Sequence, residues 1–182
     1  MNIFRNLMTV LLGSVALGTM MSTIPDYNSS FQPFAVFAGE DGIGHGRQFI
    51  AELVGLKRAA AISYMQSGQD VSRDTSATFL VVDLSITGRS ESRQLDAIWL
   101  GASGRQYSQS ARLEDAPRVL SSATFQPGLT DRTVAIFEVP EDEIVGGTLG
   151  LVPRGSMVMD SAVHFAGPAT MPEKQTMLRL EP

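Results

Sequence analysis

The chain has 182 residues, 14 Lys and Arg against 19 Asp and Glu, a formal net charge of −5 and no cysteine. Lys57-Arg58 is its one adjacent basic pair, so the basic footprint that a nucleic-acid binder needs is excluded. The missing thiol excludes thiol catalysis, disulfide exchange, cysteine lipidation and Cys-based metal sites, and leaves stability to ordinary apolar burial.

The first element is apolar. Residues 7–24 carry no charge, Arg5 stands just before them, and Pro25-Asp26 ends them. Crossing hydrocarbon as a helix takes about 20 residues, and the uncharged run is near the lower limit. Arg5 and the amino terminus are the positive groups before Arg47, whereas Asp26, Glu40 and Asp41 follow the run. This polarity predicts an N-terminus inside and a domain outside. A cleaved secretory signal is the competing reading, with Ser14-Val15-Ala16 or Ala16-Leu17-Gly18 as cleavage sites. Either site leaves a short apolar region, while the chain stays uncharged through Met20, Met21 and Ile24. Phe4 on one side and Tyr27, Phe31 and Phe34 on the other suit interfacial positions. The expectation is an uncleaved single-pass transmembrane helix within residues 1–25. Ser14, Gly18 and Ser22 fall four apart, forming a stripe of small side chains against which another membrane helix can pack.

Residues 26–46 are rich in Pro, Gly, Ser and Phe without a period and read as an extended linker. Within them Gly42-Ile43-Gly44-His45-Gly46 superficially matches a phosphate loop. Such loops follow a strand and open a helix; no helix pattern follows, and the glycines read as flexibility. From residue 47 onward short apolar or β-branched runs alternate with Gly, Pro, Ser and Asp, the punctuation of a β protein. The clearest strand is 78–87, where Leu80, Val82, Leu84 and Ile86 alternate with Val81, Asp83, Ser85 and Thr87, so one face goes to a core. Others are expected at 48–56, 59–64, 97–100, 119–125, 133–139, 148–152 and 158–165. Seven or eight antiparallel strands at this spacing predict a two-sheet sandwich over residues 47–166, with Trp99, the sole tryptophan, in its core. Residues 167–182, with Pro168, Pro172, Glu173 and Lys174, read as a weakly ordered tail or an arm along a partner.

Several segments come in a telling order: Thr78-Phe79-Leu80-Val81-Val82-Asp83-Leu84-Ser85-Ile86-Thr87, Ser103-Gly104-Arg105-Gln106-Tyr107, residues 120–128, and Ile136-Phe137-Glu138-Val139-Pro140. In these the chain resembles the bacterial DUF4352 or telokin-like family over residues 47–165. The resemblance implies an immunoglobulin-like sandwich that is exported or membrane-tethered. Gly88 stands where the family usually has Asn after the central strand, and the lipoprotein cysteine is absent; fold and address carry over, functional residues do not. Asn28-Ser29-Ser30 fits a glycosylation acceptor, which a bacterial host would leave unused.

Candidate chemistry is sparse. His45 and His164 are the only histidines; one lies in the linker, and the other shares the parity of Val158, Asp160 and Ala162, opposite Met157, Met159, Val163 and Phe165. Both read as solvent-facing, not as metal ligands. No Gly-x-Ser-x-Gly motif accompanies either, which argues against a hydrolase. Glu141-Asp142-Glu143 could offer oxygens to a hard cation but reads as a solvated turn, as does Glu114-Asp115 before Ala116-Pro117. The nine methionines suggest soft copper ligation, yet Met1, Met8, Met20 and Met21 lie in or beside the membrane segment. Leu151-Val152-Pro153-Arg154-Gly155-Ser156 is identical to the thrombin-recognition linker of expression tags. It reads as native because the strand pattern continues around it with no tag beside it; exposure of this turn would permit cleavage.

The sequence therefore predicts a non-catalytic, membrane-anchored extracytoplasmic module that binds other membrane proteins through its helix and linker. It would be an accessory subunit of a larger bacterial membrane complex, with no cofactor. The alternative is an exported module that binds a ligand or metal in loops at one end of the sandwich.

Overall fold

A computed structural model of the chain describes residues 2–23, 33–155 and 160–181. Two compact units divide it, residues 1–32 and 33–182. The first contains α1 (Asn2–Thr23). Two of its hydroxyls bond back inside the helix: Ser14 Oγ donates to the Val10 carbonyl at 3.0 Å, and Thr19 Oγ1 donates to the carbonyls of Val15 and Ala16. No helix among the described residues is long and apolar enough to cross a membrane. The spanning anchor expected over residues 1–25 therefore gains no support from the described part of α1. Ser14 and Gly18 lie on α1 with exposed side-chain positions, and the Ser22 side chain lies outside the description. Ile24, Tyr27, Phe31 and the Asn28-Ser29-Ser30 triplet also lie outside the described residues.

The second unit is a β-sandwich. Its strands are β1 (Phe34–Phe37), β2 (Ile43–His45), β3 (Phe49–Gln66), β4 (Gln69–Gly88), β5 (Leu95–Leu100), β6 (Gln106–Ser108), β7 (Thr130–Val139), β8 (Thr148–Pro153), β9 (Ser161–Ala166) and β10 (Lys174–Leu180). One sheet has the order β1-β9-β8-β5-β6; the other has β10-β3-β4-β7, with β2 also paired to β3. Alternating side chains of the two inner faces meet in a core of Phe49, Leu80, Val82, Leu84, Trp99, Phe137, Leu151 and Phe165, among others. Trp99 is fully buried there, as its sequence context predicts.

Several boundaries differ from the sequence reading. The strands expected at 48–56 and 59–64 are one strand, β3, bent by register irregularities at 53/55 and 59/61; the extra residue Val54 turns outward as bulged residues do. β3 and β4 form a long hairpin closed by Ser67 and Gly68 at φ 51° and 83°, the two left-handed positions that match strand twist. The strand expected at 119–125 is instead a 3₁₀ turn, Leu120–Ser122. It belongs to a connection from β6 to β7 that packs Leu113, Ala116 and Val119 onto Phe79, Val81, Val134 and Ile136, on the sheet face opposite the main core. β4 is consequently buried on both faces at Phe79, Leu80, Val81 and Val82, not on one. That is the physical meaning of its unbroken apolar run.

The linker and tail need the largest correction. Residues 34–37 are β1, parallel to β9, and residues 43–45 are β2 on the edge of β3. Residues 174–180 are β10, parallel to β3 from Arg58 to Tyr64. The sandwich therefore begins by Phe34 and includes part of the supposed tail, and its sheets are mixed, not purely antiparallel. Of the strand expected at 158–165, residues 161–165 are found in β9 and residues 158–159 lie outside the described residues.

Candidate protein-binding face

The first sheet packs one side on the core and turns half-buried and exposed residues to the other. On β5, Leu95, Ala97 and Trp99 point inward, so Asp96, Ile98 and Leu100 point out. On β8, Leu149 and Leu151 are buried while Gly150 and Val152 face outward, and on β9 His164 lies between buried Val163 and Phe165. Register aligns these outward positions. Ser108 lies opposite Ile98, Ile98 opposite Gly150, Gly150 opposite His164, and His164 beside Phe37. One row thus crosses all five strands without a formal charge.

Its shape follows from residue size. Gly150 has no side chain, so Ile98, Leu100, Gln106, Val152 and His164 surround a hollow of about 120 Å³. Next to it stands a ridge: the rings of Phe37 and His164 lie 5.5 Å apart at 35°, and Phe37 is 75% exposed. Desolvation holds the His164 imidazole below its ordinary value of 6.5, which keeps the row uncharged at neutral pH. A Cβ on Gly150 would meet His164 Cε1 at 3.5 Å, His164 Nδ1 at 3.6 Å and the Ile98 carbonyl at 3.8 Å, all ordinary contacts, so the fold tolerates a side chain where the sequence has none. Strand-interior glycine commonly marks a close approach.

The positions singled out from sequence fall elsewhere. His45 is exposed at the end of β2 and His164 is half-buried in the row; among the described residues no cluster of three His, Asp or Glu is placed to hold a metal. Gly44 and Gly46 are not flexible spacers: a Cβ on Gly44 would come within 2.1 Å of Val163 Cγ1, and one on Gly46 within 3.2 Å of Val163 Cγ2. The acidic triplet splits by burial. Glu141 is ion-paired with Lys174 at 2.7 Å and Arg58 at 3.4 Å. Glu143 is buried and accepts from Ser103 Oγ at 2.6 Å and Ser103 N at 3.0 Å, bonds that hold its carboxyl below the ordinary carboxylate value. Asp160, placed by parity on the solvent side, is buried, accepting from Arg47 Nε at 3.3 Å, Ser161 N at 2.7 Å and Gln48 Nε2.

Arg154 of the thrombin-like stretch is tied down as well. Its guanidinium meets Asp96 at 2.7 Å and Gln94 at 3.1 Å, and its N–H donates to the Gln94 carbonyl. Leu151 and Pro153 are buried in β8 beside β5, and Ser156 lies outside the described residues. Two roomier depressions, each about 340 Å³, are walled by the ion pairs Glu141–Lys174 and Asp96–Arg154.

The fold has distant counterparts. An uncharacterized β-sandwich protein from Clostridium difficile is similar over 73% of this chain and 94% of its own, at 10% identity and a TM-score of 0.42. A conserved hypothetical protein from Bacillus anthracis is similar over 72% and 96%, at 10% identity and a TM-score of 0.43. No family model matches the chain, and no curated protein does.

The sequence marks only the neighbourhood of the row: Phe34 and the linker aromatics read as a contact segment, whereas no motif points to Phe37 or Ile98. The signal was present in Thr148-Leu149-Gly150-Leu151-Val152, a glycine in the middle of a strand pattern.

Proposed function

We propose that the sandwich is a non-catalytic, extracytoplasmic protein-binding module, with its N-terminal segment supplying the membrane address and a larger membrane complex its partner. The carrying observation is the uncharged row Ser108, Ile98, Gly150, His164 and Phe37, a ridge beside a hollow on the outward side of the first sheet. Contiguous apolar relief of this kind marks protein contact. The hollow, at about 120 Å³, is well below the roughly 300–1,000 Å³ of small-molecule sites, and suits one apolar side chain. The polarity around Arg5 and the resemblance to exported DUF4352-type domains support the address.

The test is co-purification from the native membranes with full-length wild type and Gly150→Val. Valine fills the hollow and suits a strand. Stoichiometric partners that accompany the wild type and are lost from a folded Gly150→Val protein support the reading. Identical partners, or none, overturn it.

A further inference from the structure

We infer that β10 is an exchangeable strand, and that a second copy of this chain can place its own residues 174–180 beside β3. The slot is visible with its occupant in place. Leu178 lies opposite Ile62 and Leu180 opposite Tyr64 in a parallel ladder, and the outer cluster of Ile62, Tyr64, Phe79 and Val81 receives them. Leu180 is buried and Leu178 half-buried, while the other β10 side chains are exposed. The remaining holds are peripheral: Lys174 to Glu141 at 2.7 Å, Arg179 to Asp70 at 3.3 Å, and Arg118 Nε to the Glu181 carbonyl at 3.0 Å. Every one of these contacts runs to β3, β4 or a loop of the sandwich, none to the link that carries β10, so a second copy can supply the whole set unchanged.

The link favours opening. The Gly167 N–H is fixed on the Gly147 carbonyl at 2.8 Å, and the Pro172 carbonyl accepts from Arg58. Between them, among the described residues, positions 168–171 make no hydrogen bond to the sandwich. Pro168 and Pro172 fix their own φ and push Gly167 and Met171 toward extended conformations. A hinge biased toward extension, carrying an edge strand with two apolar anchors, is the arrangement from which strand exchange costs least. Exchange makes no new contact chemistry; its balance depends on protein concentration and on how far the hinge is pressed to straighten.

The absence of cysteine makes a direct test possible. Ala61 and Met177 are register partners, so full-length Ala61→Cys and full-length Met177→Cys are mixed, concentrated together, oxidised with oxidised glutathione and read on a non-reducing gel. The single chain carrying both substitutions serves as the control for the ladder and should close a disulfide within the monomer when dilute. Exchange predicts a covalent dimer containing one copy of each variant. It also predicts no such dimer when Thr176→Cys, on the other strand face, replaces Met177→Cys, and several-fold more dimer when residues 169 and 170 are deleted to stress the hinge. Overturning results are monomers alone in the mixture while the double variant closes internally, or equal cross-linking from positions 176 and 177.

Discussion

The Trp99 indole N–H donates to the backbone carbonyl of Glu143 at 3.0 Å, so the ring that fills the core ties down the backbone of the residue whose carboxylate accepts from Ser103. Gly147 and Gly167 flank this indole so closely that a Cβ on either would lie within 3.0 Å of it or less. Glu143 in turn caps the turn after β5 through Ser103. Its folded-state value lies below the ordinary 4.5, so its contribution is fully present above that ordinary value and is lost as pH falls through the lower folded value. Ser103→Ala should therefore lower stability near pH 7, and the gap to wild type should shrink below pH 4.5. Urea melts at pH 7 and pH 3, followed by the emission of Trp99, check this.

Two glycines should respond oppositely to one methyl. Gly44→Ala drives Cβ to within 2.1 Å of Val163 Cγ1, and overpacking of that kind costs about 1–3 kcal/mol. Val163→Ala in the same chain should recover part of the loss, because it removes the clashing atom. Gly150→Ala meets only ordinary contacts; it should leave stability within about 0.5 kcal/mol of wild type or raise it by restricting the unfolded chain. Chemical denaturation of all four proteins gives the comparison.

Thrombin should leave the native protein intact despite the match at residues 151–156. A protease reads an extended, accessible segment, whereas Leu151 and Pro153 are buried and Arg154 is held by Asp96 and Gln94. Cleavage after Arg154 should be slowed about 10³-fold or more relative to the unfolded chain, tracking the opening equilibrium. Digestion in increasing urea checks it, and rapid cutting in buffer would show that the end of β8 frays.

Acid should weaken the fold at His164. Burial depresses this imidazole, so no penalty exists above its ordinary 6.5, and one grows as pH falls from there toward the lower folded value, because the unfolded chain takes up the proton first. Wild type should lose stability relative to His164→Phe between pH 7.5 and 5.5, as read by urea melts of both proteins.

Sequence by itself determined the sandwich and its central strands. The alternation of Leu80, Val82, Leu84 and Ile86 with Val81, Asp83, Ser85 and Thr87 specifies a core-facing side locally, since a strand writes its two faces with period two. The same locality fixed the buried place of Trp99 and the loop at Ala116-Pro117. It could not say that Phe79 and Val81 are also covered, because Leu113 and Val119 reach them from a connection thirty-odd residues downstream. Nor could it recognise β1 and β10. Phe34–Phe37 pairs with Ser161 to His164, and β10 pairs back to Arg58 through Tyr64; such short segments become strands when a distant edge supplies their hydrogen-bond partners. The glycines show the limit most sharply. Gly44, Gly46 and Gly150 look alike as letters, yet Val163 crowds the first two, whereas a Cβ on the third would make ordinary contacts beside a hollow. Only the tertiary packing decides whether a missing side chain is a tight fit or a hollow for something else.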